Sequence, residues 1–333
     1  MSISHDLVPV TTETGRIPIA QMRSVYRLGD VEKRLTRLPP KDHESLRSTY
    51  ERMLEKGADR FQVKPAGVPA MEHLYDELPN FGDVLDDVKR QLALCQDSRD
   101  ALEIMPMLLL GPPGIGKTHF AREIAQLLGT GLGFISMSSL TAGWVLSGAS
   151  SQWKGARPGK VFETLVEGAY ANPVMVVDEI DKARGEHAYD PLGALYSLLE
   201  HDTARAFTDE FAEVAIDASQ VIWVATANDE RSIPEPILNR MNVYEVRSPD
   251  PDAARAIALR LYAQLREAHD WGRRFEETPS DAVLERLATL APREMRRAWM
   301  TGFGNARLDG RDAIEIADLP DGHARRGPIG FMQ

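Results

Sequence analysis

Gly111-Pro112-Pro113-Gly114-Ile115-Gly116-Lys117-Thr118 carries the spacing Gly-x4-Gly-Lys-Thr, which suits the binding of a polyphosphate. Glycines let the backbone curl until successive N–H groups point inward at phosphate oxygens, and a helix that starts there adds positive potential. Lys117 would reach the β- and γ-phosphates of a nucleotide, and the Thr118 hydroxyl would ligate Mg2+. An ordinary glycine turn capping a buried helix is the plainer alternative. The flanks favour the first reading, because the apolar run Met107-Leu108-Leu109-Leu110 precedes the loop. A helical stripe of Phe120, Ile124, Leu127 and Leu128 follows it.

Two further groups could complete a phosphoryl-transfer site. Asp178-Glu179 follows the apolar run Val174-Met175-Val176-Val177. A carboxylate at the end of a buried strand beside a phosphate loop is placed to hold Mg2+, directly or through water, and the next carboxylate can polarise an attacking water. Asn228 closes the run at 221–227, where an amide can orient that water and the γ-phosphate. Without the loop, the pair would read as two solvated acids and Asn228 as a turn residue.

The elements that must position these groups are legible as apolar runs. Besides those at 107–110 and 174–177, short runs lie at 134–137, 221–225 and 243–246, separated by helical patterns. This alternation predicts an α/β domain over 79–249, a parallel five-stranded sheet covered by helices, with ligands beyond the carboxyl ends of the strands. Val84, Leu85, Val88 and Leu92 mark a helix leading to the loop. Asp250-Pro251 reads as an N-cap with a first-turn proline, opening a small all-helical domain over 250–318. Residues 319–333 read as a tail. At the other end, 1–20 read as a loose arm, and Val25, Leu28, Val31, Leu35 and Leu38 as one helical stripe. Leu46, Tyr50, Met53 and Leu54 form a second stripe. The N-terminal segment, 1–78, is thus an arm and a helical hairpin of unassigned role, with 61–70 as a linker.

Composition narrows the function. The chain has 333 residues and a net charge of −11, and residues 79–249 carry nearly all of the excess. A general nucleic-acid binder shows a basic stripe, which this sequence lacks, so nucleic acid is not an expected partner. No apolar run approaches the ~18 residues of a membrane span, and the N-terminus lacks the apolar core of a signal peptide. Cys95 is the only cysteine, so no disulfide forms within the chain. These features point to the cytoplasm.

The motifs occur in the order of an AAA+ ATPase: the loop at 111–118, the stretch ending Asp178-Glu179-Ile180-Asp181, then Ala225-Thr226-Ala227-Asn228, then 233–241. The sequence most resembles the ATPase module of Lon proteases. Trp153-Lys154-Gly155-Ala156-Arg157-Pro158-Gly159, Asp190-Pro191 and Phe207-Thr208-Asp209-Glu210-Phe211 add to the likeness, which covers about 80–315. The resemblance implies an ATP hydrolase with Mg2+ that works as a ring homo-oligomer, a hexamer, on a protein substrate, with a separate adaptor or protease as a further partner. It assigns Lys117 and Thr118 to the phosphate loop and Asp178 and Glu179 to Mg2+ and the catalytic base. Asn228 matches the first sensor, and Arg240 an arginine finger reaching a neighbouring subunit's nucleotide. Arg293 matches the second sensor, with Arg296 and Arg297 as rivals. Trp153 and Lys154 match a loop that faces the pore and grips unfolded polypeptide. A large flat ring suits that task because it packs on many surfaces without needing a particular sequence. The competing account of Trp153 is a hydrophobic anchor folded back on the core.

Lon continues past its helical domain into a Ser–Lys peptidase. No lysine follows Lys182 here, so the expectation is an ATPase without the peptidase. Two other readings remain open: an AAA+ motor working on nucleic acid, and a nucleotide-gated interaction module with little turnover. Glu179 and Arg240 weigh against the second, since a pure switch needs neither.

Overall fold

The structure, a computed structural model, describes residues 19–39, 43–96, 98, 100–139, 143–153, 155–183 and 190–320. It divides into two compact units. The first holds Met1–Met71, Asp83–Leu110 and Lys117–Glu245; the second holds Glu72–Gly82, Gly111–Gly116 and Val246–Gln333. The strands of the first unit are β1 (Ile19–Ser24), β2 (Asp59–Lys64), β3 (Met107–Leu110), β4 (Leu132–Ser136), β5 (Val174–Asp178), β6 (Phe207–Thr208), β7 (Ala215–Ile216), β8 (Ile222–Ala227) and β9 (Asn242–Glu245). Five of them form a parallel sheet in the order β4-β5-β8-β3-β9, as the alternation of runs predicts. Every residue of β8, and all of β5 but Asp178, is buried. That explains their continuous apolar character, because strands covered on both faces have no solvent side to alternate with. The helix Lys117–Leu128 packs on β5 and β8 through Phe120, Ala121, Ile124, Ala125 and Leu128, one stripe at three- and four-residue spacing. Among the described residues no helix is long and apolar enough to cross a membrane.

The second unit contains the helices Pro251–Ala268, Asp281–Ala288 and Pro292–Leu308. The Asp250 carboxylate caps the first by accepting the Ala253 N–H at 2.8 Å. Tyr262, Trp299 and Phe303 fill the centre, with the Tyr262 and Trp299 rings 4.9 Å apart and the Trp299 indole N–H donated to the Ala258 carbonyl. Leu319, read from sequence as the first residue of a tail, is buried in this core. A short turn at Ile316–Asp318 delivers it, held by the Arg311 pair with Asp318. Residues 321–333 of that tail lie outside the described residues.

The N-terminal helices Leu28–Arg37 and Glu44–Lys56 form within the two stripes, although Val25 lies before the first helix and Leu38 is its C-cap. They share one core with the sheet: Val31, Leu46, Tyr50 and Met53 belong to the same cluster as Met175 and Trp223. The Tyr50 hydroxyl donates to the Ala212 carbonyl at 2.8 Å. The arm read over 1–20 falls outside the described residues up to 18, and its last two residues open β1.

The linker expectation for 61–70 needs correction. Residues 61–64 belong to β2, which pairs antiparallel with β1, Met22 opposite Phe61. The strand escaped notice because two of its buried positions are Arg60 and Lys64 while Phe61 is exposed, the reverse of an apolar alternation. The buried cations are satisfied by carbonyls: Arg60 Nε donates to Leu165 O at 3.0 Å, and Lys64 Nζ to Ser98 O and Asp100 O at 2.7 Å each. Fully buried Asn172 then acts as a stand-in for a strand. Its Nδ2 donates to Val63 O at 2.6 Å, and its Oδ1 accepts the Val63 N–H at 3.0 Å. Asn172→Ala should leave both buried Val63 groups unpaired and destabilise the chain by about 2–4 kcal/mol. Urea denaturation checks this, and an unchanged midpoint would mean that water replaces the amide there.

Candidate active site

Parallel pairing puts the carboxyl ends of β3, β5 and β8 along one side of the sheet, and the polar residues of the apolar runs sit there. In the first unit Lys117 is buried, and its Nζ donates to Asn228 Oδ1 at 3.0 Å. Burial pushes the Lys117 ammonium below its ordinary value, while Asp178, Asp181 and Glu179 work in the opposite direction. The Thr118 hydroxyl donates to Asp178 Oδ1 at 3.0 Å. The structure therefore brings together four residues that the sequence singled out separately.

A fifth was missed. The Thr226 hydroxyl donates to the same Asp178 oxygen at 2.8 Å and accepts the Glu179 backbone N–H at 3.0 Å. Its donor and one of its acceptor positions are thereby used between the two acids. A hydroxyl in an otherwise apolar, fully buried strand was the available signal. Glu179 has φ of 55°, a left-handed conformation rare outside glycine that costs roughly 1–3 kcal/mol. The bond from its N–H to Thr226 is one of the contacts that holds it there.

Arg240 has other partners. It follows the short helix Glu235–Leu238, pairs through Nε with Glu200 at 2.6 Å, and donates to the Pro236 carbonyl at 2.5 Å. Trp153 is 48 % exposed, so its ring is not enclosed in the core. Lys154 lies outside the described residues.

In the second unit the glycine loop has positions that only glycine fits. A Cβ on Gly111 would meet the Val246 carbonyl at 2.1 Å, and Gly114 has φ of +83°, so neither position accepts another residue without strain. Pro112 and Pro113 are exposed, whereas Ile115 is buried. The loop rests on the N-terminus of the helix Pro292–Leu308: the Arg293 N–H is donated to Gly114 O at 3.3 Å. Of the three candidate arginines there, Arg293 is the one whose backbone bonds the loop, and the side chains of Arg293, Arg296 and Arg297 all lie on exposed positions.

These features define a P-loop α/β fold of AAA+ type. The model of the ATPase family associated with various cellular activities (AAA) matches residues 107–248. A Thermotoga maritima RuvB variant shares the fold, with a TM-score of 0.52 and 18% identity over 77% of this chain and 70% of that one. Within this class the sequence is similar to Lon. It is 32% identical over 209 residues to a mitochondrial Lon protease homologue of Aspergillus fumigatus, covering 63% of this chain and 18% of that protein. With Lon protease of Helicobacter pylori it is 37% identical over 174 residues, 52% of this chain and 21% of that protein. The match to the AAA model thus covers residues 107–248, and the chain spans about a fifth of the length of these Lon relatives.

Thr226→Val removes the hydroxyl between the two acids at nearly constant volume. It should cost about 1–3 kcal/mol, because the Glu179 N–H loses its acceptor and Asp178 a donor. Thr226→Ser should lose clearly less. Equal losses in chemical denaturation would assign the effect to packing instead.

Proposed function

We propose that this chain binds ATP with Mg2+ and hydrolyses it to ADP and phosphate, and that it does so in a homo-oligomeric ring, a hexamer, acting on a protein substrate. The observation that carries the reading is the hydrogen-bonded run Thr118–Asp178–Thr226–Glu179 beside Lys117 and Asn228. The donor set fits the cofactors. Thr118 and Asp178 offer the hard oxygens that Mg2+ takes, and residues 111–116 with Lys117 offer backbone N–H groups and a cation for phosphates. Bound Mg2+ would neutralise the charge that develops on the transferred phosphoryl group.

The residues then have separable tasks. Lys117 binds the phosphates. Asp178, oriented by two hydroxyls, holds the metal side. Glu179 takes a proton from the attacking water, and Asn228 orients that water. Arg240 serves a neighbouring subunit's site, and Arg293 answers to nucleotide from the helical unit. Trp153 and Lys154 grip unfolded polypeptide. A separate adaptor or protease would then receive or supply that polypeptide.

Lys117→Ala should abolish ATP binding, measured by calorimetry, because the cation reaching the phosphates is lost. Glu179→Gln should bind ATP and stop phosphate release, since an amide cannot activate water. Near-parental turnover in Glu179→Gln would remove it as the base.

Arg240→Ala should bind ATP yet hydrolyse it more slowly, by up to ~10³–10⁵ if the loss matches that of arginine fingers generally. Mixed with Lys117→Ala it should regain activity, one subunit giving the site and the other the arginine. Full activity of Arg240→Ala in a chain shown to be monomeric would rule out action between subunits.

A further inference from the structure

Asp209 has no role in the ATP chemistry above, yet it is completely buried and lies at the turn between β6 and β7. Its Oδ1 accepts the N–H groups of Phe211 at 2.9 Å and Ala212 at 3.0 Å, a local turn. Its Oδ2 accepts the Gly159 N–H at 2.8 Å, fifty residues away in sequence. Burial pushes this carboxyl up to about 6, against the three N–H groups that pull it down.

Gly159 closes the segment that carries Trp153, and Gly148 opens it. The two glycines meet. A Cβ on Gly159 would sit 2.4 Å from the Gly148 nitrogen, and one on Gly148 would sit 2.7 Å from Asp209 Oδ1. Gly148 also has φ of +83°. One step further out, the Ala149 N–H is donated to the Arg157 carbonyl at 3.2 Å. The described residues 149–153 and 155–158 therefore leave and return through a neck of two glycines, and one carboxylate lies across it. Beside it, the Glu210 N–H is donated to Ser147 O at 2.7 Å, a second strut from the same hairpin.

A neck without side chains has little packing of its own to fix its direction, and glycine backbone is costly to order. A carboxylate suits the task better than an amide, because both of its oxygens only accept, so it can hold donors from two segments at once. We propose that Asp209 is a positioning residue that sets the loop bearing Trp153 and so determines how tightly unfolded polypeptide is held. This deepens the proposed function and rests on its reading of Trp153.

The test uses the full chain and casein as the unfolded probe. In Asp209→Asn one oxygen can still serve Phe211 and Ala212, while the amide NH2 faces the Gly159 N–H donor to donor. The casein concentration for half-maximal ATPase stimulation should rise by about tenfold with the maximal rate kept, and amide hydrogen exchange should quicken across 148–159 but not in β5 or β8. Gly148→Ala, which pushes a methyl into the carboxylate, should shift both readouts the same way. Parental half-saturation together with parental exchange at 148–159 overturns the proposal. So does faster exchange throughout the sheet, which would mark a general packing defect. Trp153→Ala, measured alongside, separates the two ideas. Parental stimulation in that variant, or a parent that casein does not stimulate, overturns the grip reading of Trp153 and with it the proposed link to polypeptide affinity. Exchange at the neck still reports by itself whether Asp209 sets the loop.

Discussion

A single carboxylate oxygen, Asp178 Oδ1, accepts from two hydroxyls that come from different elements. Thr118 approaches from the first turn of the helix after the glycine loop, and Thr226 from the neighbouring strand β8. Those bonds can form together only if β5 and β8 are in register and the helix Lys117–Leu128 lies flat on both. The register supplies this, Val177 of β5 standing opposite Ala225 of β8. The packing of Phe120, Ile124 and Leu128 supplies the rest. Hydrophobic burial is non-directional, and here it is converted into a fixed oxygen position by two short polar contacts. The strain at Glu179 belongs to the same arrangement, since its N–H reaches Thr226 from the left-handed conformation.

Charge follows from that geometry. Lys117 is buried, and three carboxylates raise its affinity for the proton against desolvation. Asp178, Glu179 and Asp181 stand within four residues, and Lys182 pairs with Asp181 at 2.5 Å. A divalent cation on the Thr118 and Asp178 oxygens would add positive charge beside these acids, which is consistent with the Mg2+ of the proposed function.

How much was legible depended on whether burial and polarity agreed. The central strands β3, β5 and β8 are buried and almost wholly apolar, so composition revealed them, and β4 and β9, which are partly exposed, showed as shorter apolar runs. The loop, Asp178, Glu179 and Asn228 stood out because polar residues end apolar runs. β2 was hidden because Arg60 and Lys64 point inward and are paid for by distant carbonyls. β6 and β7 are two residues each, too short for any periodicity. Thr226 was visible within its motif, but its double bond to Asp178 and Glu179 depends on strand register, which no local pattern encodes. Asp209 was likewise quoted only as part of a motif. Its reach to Gly159 is a contact between segments about fifty residues apart, and the glycines it serves read locally as loop punctuation.

Arg240 and Asp209 belong to opposite regimes of electrostatics, and the difference bears on which parts can move. The Arg240–Glu200 pair is partly open to solvent, with side-chain exposures of 28% and 45%. Such pairs are worth about 0–1 kcal/mol because water competes for both charges. Arg240 can therefore exchange Glu200 for another anion at small cost, as its proposed action on a second subunit requires. Asp209 has no comparable freedom. Its carboxylate is shut away from water, and removing any of its donors leaves a buried charge short of a partner. Glu200 and Asp209 lie nine residues apart, on either side of β6. One short stretch of chain thus joins a contact that is cheap to break with one that is expensive to break.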